Sequence, residues 1–456
     1  MACARPGRTV LTSYDLGMTT PTRQELRAWS AALTLGPLDP TDPNEKRYVP
    51  LTDAGRGAVD ELLATIELAF DTITQLLSGP SGSGKTTELN RLRGELAQAG
   101  YHVALFDIGS YVNESSPIDV TEFLIALALG AHDVLGAPDT ARGPGFGARL
   151  RRLLDRLKIS VDVPGLSATV SPDGLAVEAM GAAVEVELQR ELKSSESVVT
   201  ELRRKLTYHI GRLYEEVADF LTTLLPADDP GQGSVLIVDG LEKLRGTSEN
   251  DVAVQESVQA LFVAHASKLR FRSHHMVYTV PTYLQFTAPG ALPYDSRVLP
   301  VPVPHVRPRP GEAEHTVAKT IAELRDVVAR RLPVDRLFTD KQLDAIIQAS
   351  GGHLRDLFTL LRQVVNLLLR RSLTPPLDDE HVEEAIALVA HDFLVMTAEQ
   401  EAFLRQVASG SGTVRPAASE VQLMARLLQS HMLLGHLNGQ DWYEVHPLAR
   451  RALGLP

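Results

Sequence analysis

Apolar and polar positions change period several times along this chain, and the changes divide it. Thr74-Gln75-Leu76-Leu77-Ser78, His102–Ile108 and Val235–Asp239 are short apolar runs bounded by turn residues, the length of buried strands rather than helices. Met276–Val280 and Val298–Val303 read as two more strands. The second contains Pro300 and Pro302, with Pro304 just beyond, which places it at a sheet edge, since proline cannot donate to a ladder. Helical spacing is found at Arg23–Leu33, over 51–72, from Thr87 to Leu92 and at Ile118–Val134. It then dominates from about 311 onward, at Ala313–Leu332, Thr339–Ser350, Leu354–Arg371 and Asp378–Leu394. The last segment, from about 397, predicts helices followed by a hairpin, Met432–His436 and Trp442–Val445 around a turn at Asn438-Gly439.

Between about 139 and 232 the pattern shifts. Arg149–Leu157 is helical, then Ile159–Val163, Leu166–Val170, Leu175–Glu178 and Ala183–Leu188 alternate at strand spacing, with turns at Pro164-Gly165 and Pro172-Asp173-Gly174. A long helix over Ser197–Leu225 follows. This segment reads as an insertion with projecting hairpins, either a partner-recognition surface or a decoration without a ligand of its own.

Composition narrows the class. The chain has 456 residues, enough for two or three domains, and 44% are hydrophobic. A net charge of −12 and a pI near 5.6 argue against a protein that chiefly coats nucleic acid. The single cysteine, Cys3, excludes an internal disulfide and suits a reducing cytoplasm. The most apolar run, Phe123–Ala131, is far short of the ~20 residues a membrane helix requires. Met18 opens a run resembling a natural start with a helix cap, so residues 1–17 are expected to be a disordered extension or an over-extended start.

The chemistry is concentrated at residues 79–87, Gly-Pro-Ser-Gly-Ser-Gly-Lys-Thr-Thr, which fit the phosphate-loop pattern G-x-x-x-x-G-K-[ST]. Gly79, Gly82 and Gly84 let the backbone turn so that successive N–H groups point inward at an anion, the expected binding residues being Gly79, Pro80, Ser81, Gly82, Ser83, Gly84, Lys85, Thr86 and Thr87. Lys85 supplies a point charge for the β/γ-phosphates, and Thr86 offers a hard oxygen to Mg²⁺. A strand before and a helix after the loop set it apart from a flexible linker. Val235–Asp239 ends in a carboxylate between Gly233 and Gly240, where Asp239 would hold the Mg²⁺ shell. Glu242 is either a general base for the attacking water or part of a solvated turn. Thr279 either senses the γ-phosphate or is an ordinary β-branched strand residue. Arg355, after Gly351-Gly352-His353-Leu354, sits in the first turn of a helix, where the dipole disfavours a cation; it either faces a phosphate or is exposed. The cations Arg149, Arg151, Arg152, Arg156 and Lys158 form either a nucleic-acid patch or a solvated helix face.

In this order, these pieces resemble the AAA+ and STAND branch of P-loop ATPases, over about 50–456. Gly79–Thr86 looks like a Walker A motif and Val235–Asp239 like a Walker B, with sensor-like positions at Thr279 and at 351–355. Asp239-Gly240-Leu241-Glu242 is similar to the NACHT or KAP form, with its second acid three residues on. The resemblance implies an α/β fold: a three-layer P-loop core with a parallel sheet over 51–310, carrying the 139–232 insertion, then a helical lid over 311–396 and a winged helix over 397–456, after an N-terminal tail and linker over 1–50. It implies Lys85, Asp239 and Glu242 as catalytic residues, ATP and Mg²⁺ as cofactors, and a slow cytoplasmic ATPase acting as a switch in bacterial stress or antiphage defence. Its partners would be ADP and ATP, a separate effector protein and, on nucleotide binding, further copies of the chain. His446, in His446-Pro447-Leu448, is reminiscent of the histidine that holds ADP in related signalling ATPases. No arginine follows Thr279, so an arginine finger stays unassigned, Arg297 being one candidate. The alternative is a DNA-binding ATPase like replication initiators or transposition helpers; against it, the expected reading helix, Ser419–Leu428, is mostly apolar with one arginine.

Overall fold

The computed structural model describes residues 19–51, 56–135, 145–161, 185–224, 233–247, 249–287, 292–294, 298–308, 314–410, 416–437 and 441–455. The expected hairpins over 166–178, the turn at Asn438-Gly439, Arg297, Cys3 and the 1–17 extension lie outside these residues.

In chain order the elements are α1 (Arg23–Ala32), α2 (Arg56–Glu67), β1 (Thr74–Ser78), α3 (Lys85–Gln98), β2 (His102–Asp107), α4 (Val120–Leu135), α5 (Phe146–Leu157), α6 (residues 185–194), α7 (Glu196–Leu206), α8 (Ile210–Leu224), β3 (Ser234–Asp239), α9 (Asp251–Val263), β4 (His275–Val280), α10 (Leu284–Thr287) and β5 (Leu299–Pro300). There follow α11 (Ala318–Ala329), α12 (Val334–Leu337), α13 (Asp340–Ala349), α14 (Leu354–Arg371), α15 (Asp379–Ala390), α16 (Ala398–Ser409), α17 (Val421–Gln429), β6 (Leu433–Leu437), β7 (Asp441–Val445) and α18 (Pro447–Ala452).

Strands β1 to β5 form one parallel sheet in the order β5-β1-β4-β3-β2. Both faces are covered, which is why these strands read as unbroken apolar runs rather than as alternation. Side-chain period 2 still sorts the residues. Leu77, Val235, Ile237 and Val277 pack with α2 and α3 on one face, while Leu76, Leu236, Val238, Met276 and Tyr278 pack on the other with α4 and the helices around it. The fold is therefore a three-layer α/β core, as expected. Pro300 sits on the edge strand, where its missing N–H costs nothing.

The insertion is more helical than its alternation predicts. Residues 185–188 lie in α6, not in a strand, with Leu188 and Leu192 buried one turn apart against the core. The single helix expected over Ser197–Leu225 breaks at a 3₁₀ turn, Thr207–His209, between α7 and α8. Helices α11 to α15 build the second core. Capping boxes at Thr339/Gln342 and, in the C-terminal unit, at Thr397/Gln400 fix the starts of α13 and α16. Segment 19–51 is not a free linker: Leu26, Trp29 and Leu33 are buried in the core of these helices. In the C-terminal unit α16 and α17 pack on the antiparallel β6-β7 hairpin.

Candidate active site

Four chain segments converge at the C-terminal ends of β1 and β3. The loop after β1 carries Lys85 into the first turn of α3, and β3 delivers Asp239. Lys85 Nζ donates to the carbonyls of Gly79 (2.9 Å) and Pro80 (3.0 Å) and lies 3.2 Å from Glu242 Oε1, both side chains almost fully buried. Thr86 Oγ1 donates to Asp239 Oδ2 at 2.5 Å. Because β4 lies between β1 and β3, the tip of β4 enters the same site. Thr279 Oγ1 donates to Glu242 Oε2 (2.7 Å) and accepts from the Gly240 N–H (2.8 Å). Glu242 is thus not a solvated turn residue, and Thr279 is more than a strand filler.

The two acids are driven apart electrostatically. Burial raises the Asp239 carboxyl above its usual range, and the Glu242 charge adds to this. Burial opposes ionisation of Glu242 too, but the Lys85 ammonium and the Thr279 hydroxyl hold it below the usual range. Asp239 Oδ1 is buried with no hydrogen-bond partner among the described residues. An orphaned carboxylate oxygen beside a threonine hydroxyl is a hard-oxygen pair that fits Mg²⁺.

Ser81, Gly82, Ser83, Gly84, Lys85, Thr86 and Thr87 line a cavity of about 510 Å³, together with Asp239, Glu242 and Arg355. Gly79 and Pro80 lie behind it and act through their carbonyls. The Thr87 hydroxyl is taken up by the cavity's own wall, accepting from the Leu38 N–H at 3.0 Å. The far wall went unread in the sequence. It comprises Leu35, Tyr48, Val49, Leu51 and, from the helical core, Phe358, with Arg331 stacked 4.7 Å over the Phe358 ring. These are apolar and aromatic surfaces suited to a flat heterocycle. Only Phe358 carried a signal, on the apolar face of α14, and that signal equally meant core.

The cover of the cavity comes from the start of α14. Arg355 Nη2 donates to Ser81 Oγ at 3.0 Å, so Arg355 is committed to the loop and not exposed. Gly82 has φ +88°, and a Cβ there would come within 2.8 Å of Arg355 Cβ, so a side chain is excluded on both counts. Beside Arg355, His353 Nε2 meets the Ser81 carbonyl at 2.9 Å, and its Nδ1 meets Asp356 Oδ2 at 2.6 Å. His446 does not line the cavity. It is fully buried behind Asp356, with Nε2 3.2 Å from Asp356 Oδ2, so its link to the loop runs through Asp356 and His353. Just before this helix, a Cβ on Gly352 would meet the Pro304 carbonyl oxygen at 2.0 Å, and one on Gly351 would meet Leu434 and Pro447 at 2.5 and 2.8 Å.

The α5 cluster is partly neutralised. Arg149 and Arg156 both face Glu216 on α8, at 3.7 and 2.7 Å, and Arg149 also lies over the Phe220 ring. On α17, Leu423, Met424, Leu427 and Leu428 are buried, and the helix's one arginine, Arg426, is bound to Asp251 of α9 at 2.6 Å.

No protein-family model matches the sequence, and no curated protein matches it either. Among solved structures the chain is similar to the Aeropyrum pernix ORC2 protein in its ADPNP-ADP complexes, with 13% identity, a TM-score of 0.40, and 90% of this chain and 95% of that one covered. It is also similar to Cdc6p from Pyrobaculum aerophilum (11%, 0.34, 93% and 96%) and to the RuvB Holliday junction branch migration motor of Thermotoga maritima (12%, 0.34, 88% and 96%).

Proposed function

We propose that this chain binds ATP in the cavity above Lys85 and hydrolyses it as a conformational switch, with the α11–α15 helices and the C-terminal unit reading the state of the nucleotide. What carries the reading is the Lys85–Glu242–Thr279 cluster beside Thr86–Asp239. A phosphate-binding lysine and two acids with divergent proton affinities meet at one end of a parallel sheet, facing a cavity with an apolar far wall.

The loop's N–H groups and the N-terminus of α3 hold the β-phosphate. Lys85 exchanges Glu242 for the β/γ-phosphate oxygens. Glu242, released but still aligned by Thr279, accepts a proton from a water that attacks the γ-phosphorus as the bridging P–O bond to the β-phosphate breaks. Thr86 and Asp239 would hold Mg²⁺, which would supply positive charge to offset that of the phosphate oxygens. Arg355 contacts the loop from α14, so the charge of the terminal phosphate bears directly on the start of that helix. Linkage requires only that ATP and ADP differ in affinity for two positions of it.

The C-terminal unit supports switching over DNA reading. Its α17 is turned inward, with its arginine held by Asp251, and a groove-reading helix needs several free polar side chains. On this reading a separate effector protein, or further copies of the chain, receives the output. No helix among the described residues is long and apolar enough to cross a membrane. The test is nucleotide binding and single-turnover hydrolysis by wild type, Lys85→Ala and Glu242→Gln, with sedimentation in ATP and ADP. A wild-type protein that ignores millimolar ATP overturns the proposal.

A further inference from the structure

Behind the phosphate loop, at the seam between α14 and the C-terminal unit, lies a second cluster that ATP chemistry does not use. His353, Asp356 and His431 each offer one ligand atom, and the three atoms lie within 4.8 Å of one another. His353 is fully buried, and His431 is buried too. They come from two distant parts of the chain: His353 from the N-cap and Asp356 from the first turn of α14, and His431 from the turn between α17 and β6.

The hydrogen-bond arithmetic at this cluster leaves a deficit. His353 Nε2 faces the Ser81 carbonyl at 2.9 Å, and a carbonyl can only accept, so that nitrogen carries the proton. Nδ1 lies 2.6 Å from Asp356 Oδ2, so that pair is joined either by a second ring proton or by a cation that both atoms can ligate. A proton would serve those two atoms alone. It would leave His431, whose ring centre is 4.1 Å from that of His353 and whose Nε2 is buried with no hydrogen-bond partner. His431 also sits at φ +60°, a left-handed conformation uncommon for a residue with a side chain.

We propose that His353, Asp356 and His431 form a zinc site that ties the start of α14 to the C-terminal unit. Two imidazoles and a carboxylate are a recurring zinc ligand set, with a fourth position left for water. The surrounding shell has the form such sites need. His353 donates its second ring N–H to a backbone carbonyl. His446 Nδ1 accepts from the Leu448 N–H at 3.1 Å, so its Nε2 carries the proton and sets a positive edge 3.2 Å from Asp356 Oδ2 without ligating. Tetrahedral zinc with ligand distances of about 2.0–2.1 Å sets its ligand atoms roughly 3.3 Å apart. The His353–Asp356 pair would open slightly and His431 would move inward. An ion held by oxygens alone, such as Mg²⁺, does not suit two imidazoles. Coordination by imidazole nitrogen selects a borderline-soft metal instead.

The experiment is titration of the chelator-stripped full-length protein with ZnCl₂ against a chromogenic competitor, without nucleotide, followed by zinc-edge X-ray absorption of the loaded protein. The expected result is one zinc per chain, with two imidazole nitrogens in its shell. His431→Ala should lose more than about 100-fold in affinity, and His446→Gln about 10–100-fold, as an outer partner would. His431→Asn serves if the alanine variant melts differently from wild type. Any of three results overturns the site: no stoichiometric uptake by wild type at micromolar zinc, an absorption spectrum without two imidazoles, or folded His431 variants that bind as wild type does. None of them bears on ATP binding, so this site and the proposed function stand or fall separately.

Discussion

Lys85 Nζ lies 3.2 Å from Glu242 Oε1, so the residue expected to grip phosphate is here held by the residue expected to activate water. Each silences the other. On the proposed function, a triphosphate that took Lys85 would free Glu242 in the same movement, coupling binding to the readiness of the base.

Removing the carboxylate charge should therefore separate binding from chemistry. Glu242→Gln is expected to bind ATP at least as tightly as wild type, because Lys85 no longer has an anionic competitor. Its hydrolysis should fall by about 10²–10⁴-fold. Fluorescent-nucleotide titration and single-turnover assays measure the two quantities, and full turnover in this variant removes Glu242 from the mechanism.

The same pair predicts a stability effect. Lys85→Met leaves Glu242 buried without its cation, a situation that costs about 3–5 kcal/mol when the remaining group stays charged. Less is expected here, since Glu242 can take up a proton and keeps Thr279. The double variant Lys85→Met/Glu242→Gln should regain much of the melting temperature while still failing to bind ATP. A double variant no more stable than Lys85→Met would show that the pair is not coupled.

Arg355 touches the loop through Ser81 Oγ. Arg355→Ala should weaken ATP binding by about 2–5 kcal/mol if the guanidinium also meets a phosphate, and ADP binding by less. Equal losses for both nucleotides would make it a loop-positioning residue only. Gly82→Ala, which strains the backbone and strikes Arg355, should weaken both.

Acid should weaken the core through His274. Burial, helped by the charge of His275, pushes this imidazole down from its ordinary 6.5 to about 4. The unfolded chain takes up this proton first. The contribution is therefore complete above pH 6.5 and is lost as pH falls toward 4, amounting to about 2–3 kcal/mol at pH 4.5. Urea titrations from pH 7 to 4.5 should show His274→Gln losing less stability than wild type over that range; parallel curves would contradict this.

Arg426 and Asp251 hold α17 against the core. Arg426→Glu sets two carboxylates face to face and should speed amide exchange across α17 while leaving β1 and β3 protected. Unchanged exchange in α17 would mean that its apolar face alone keeps it docked.

The strands, the loop and the hairpin were legible in the sequence because each is written locally, in apolar runs a few residues long and in glycines with a fixed spacing. Asp239 was legible for the same reason, as an acid ending a buried run. Glu242 stayed ambiguous because its partners, Lys85 and Thr279, are distant in sequence and meet only across β4. The 185–188 segment was misread as strand because alternation over so few residues is compatible with one turn of an amphipathic helix, and Leu188 and Leu192 on the inner face decide the matter. The wall formed by residues 35–51 was hidden by its prolines, which mark a loop but do not say what the loop covers.

Gly351 and Gly352 press bare backbone against two different bodies, the Pro304 carbonyl on one side and the Leu434 and Pro447 side chains on the other. With no side chain to compress, this joint has no slack. A tilt of α14 in either direction must push on the exit of the sheet or on the C-terminal hairpin. In the switch proposed above, the pair would serve as a knife-edge fulcrum, turning a small movement near Ser81 into leverage on residues that never meet the nucleotide.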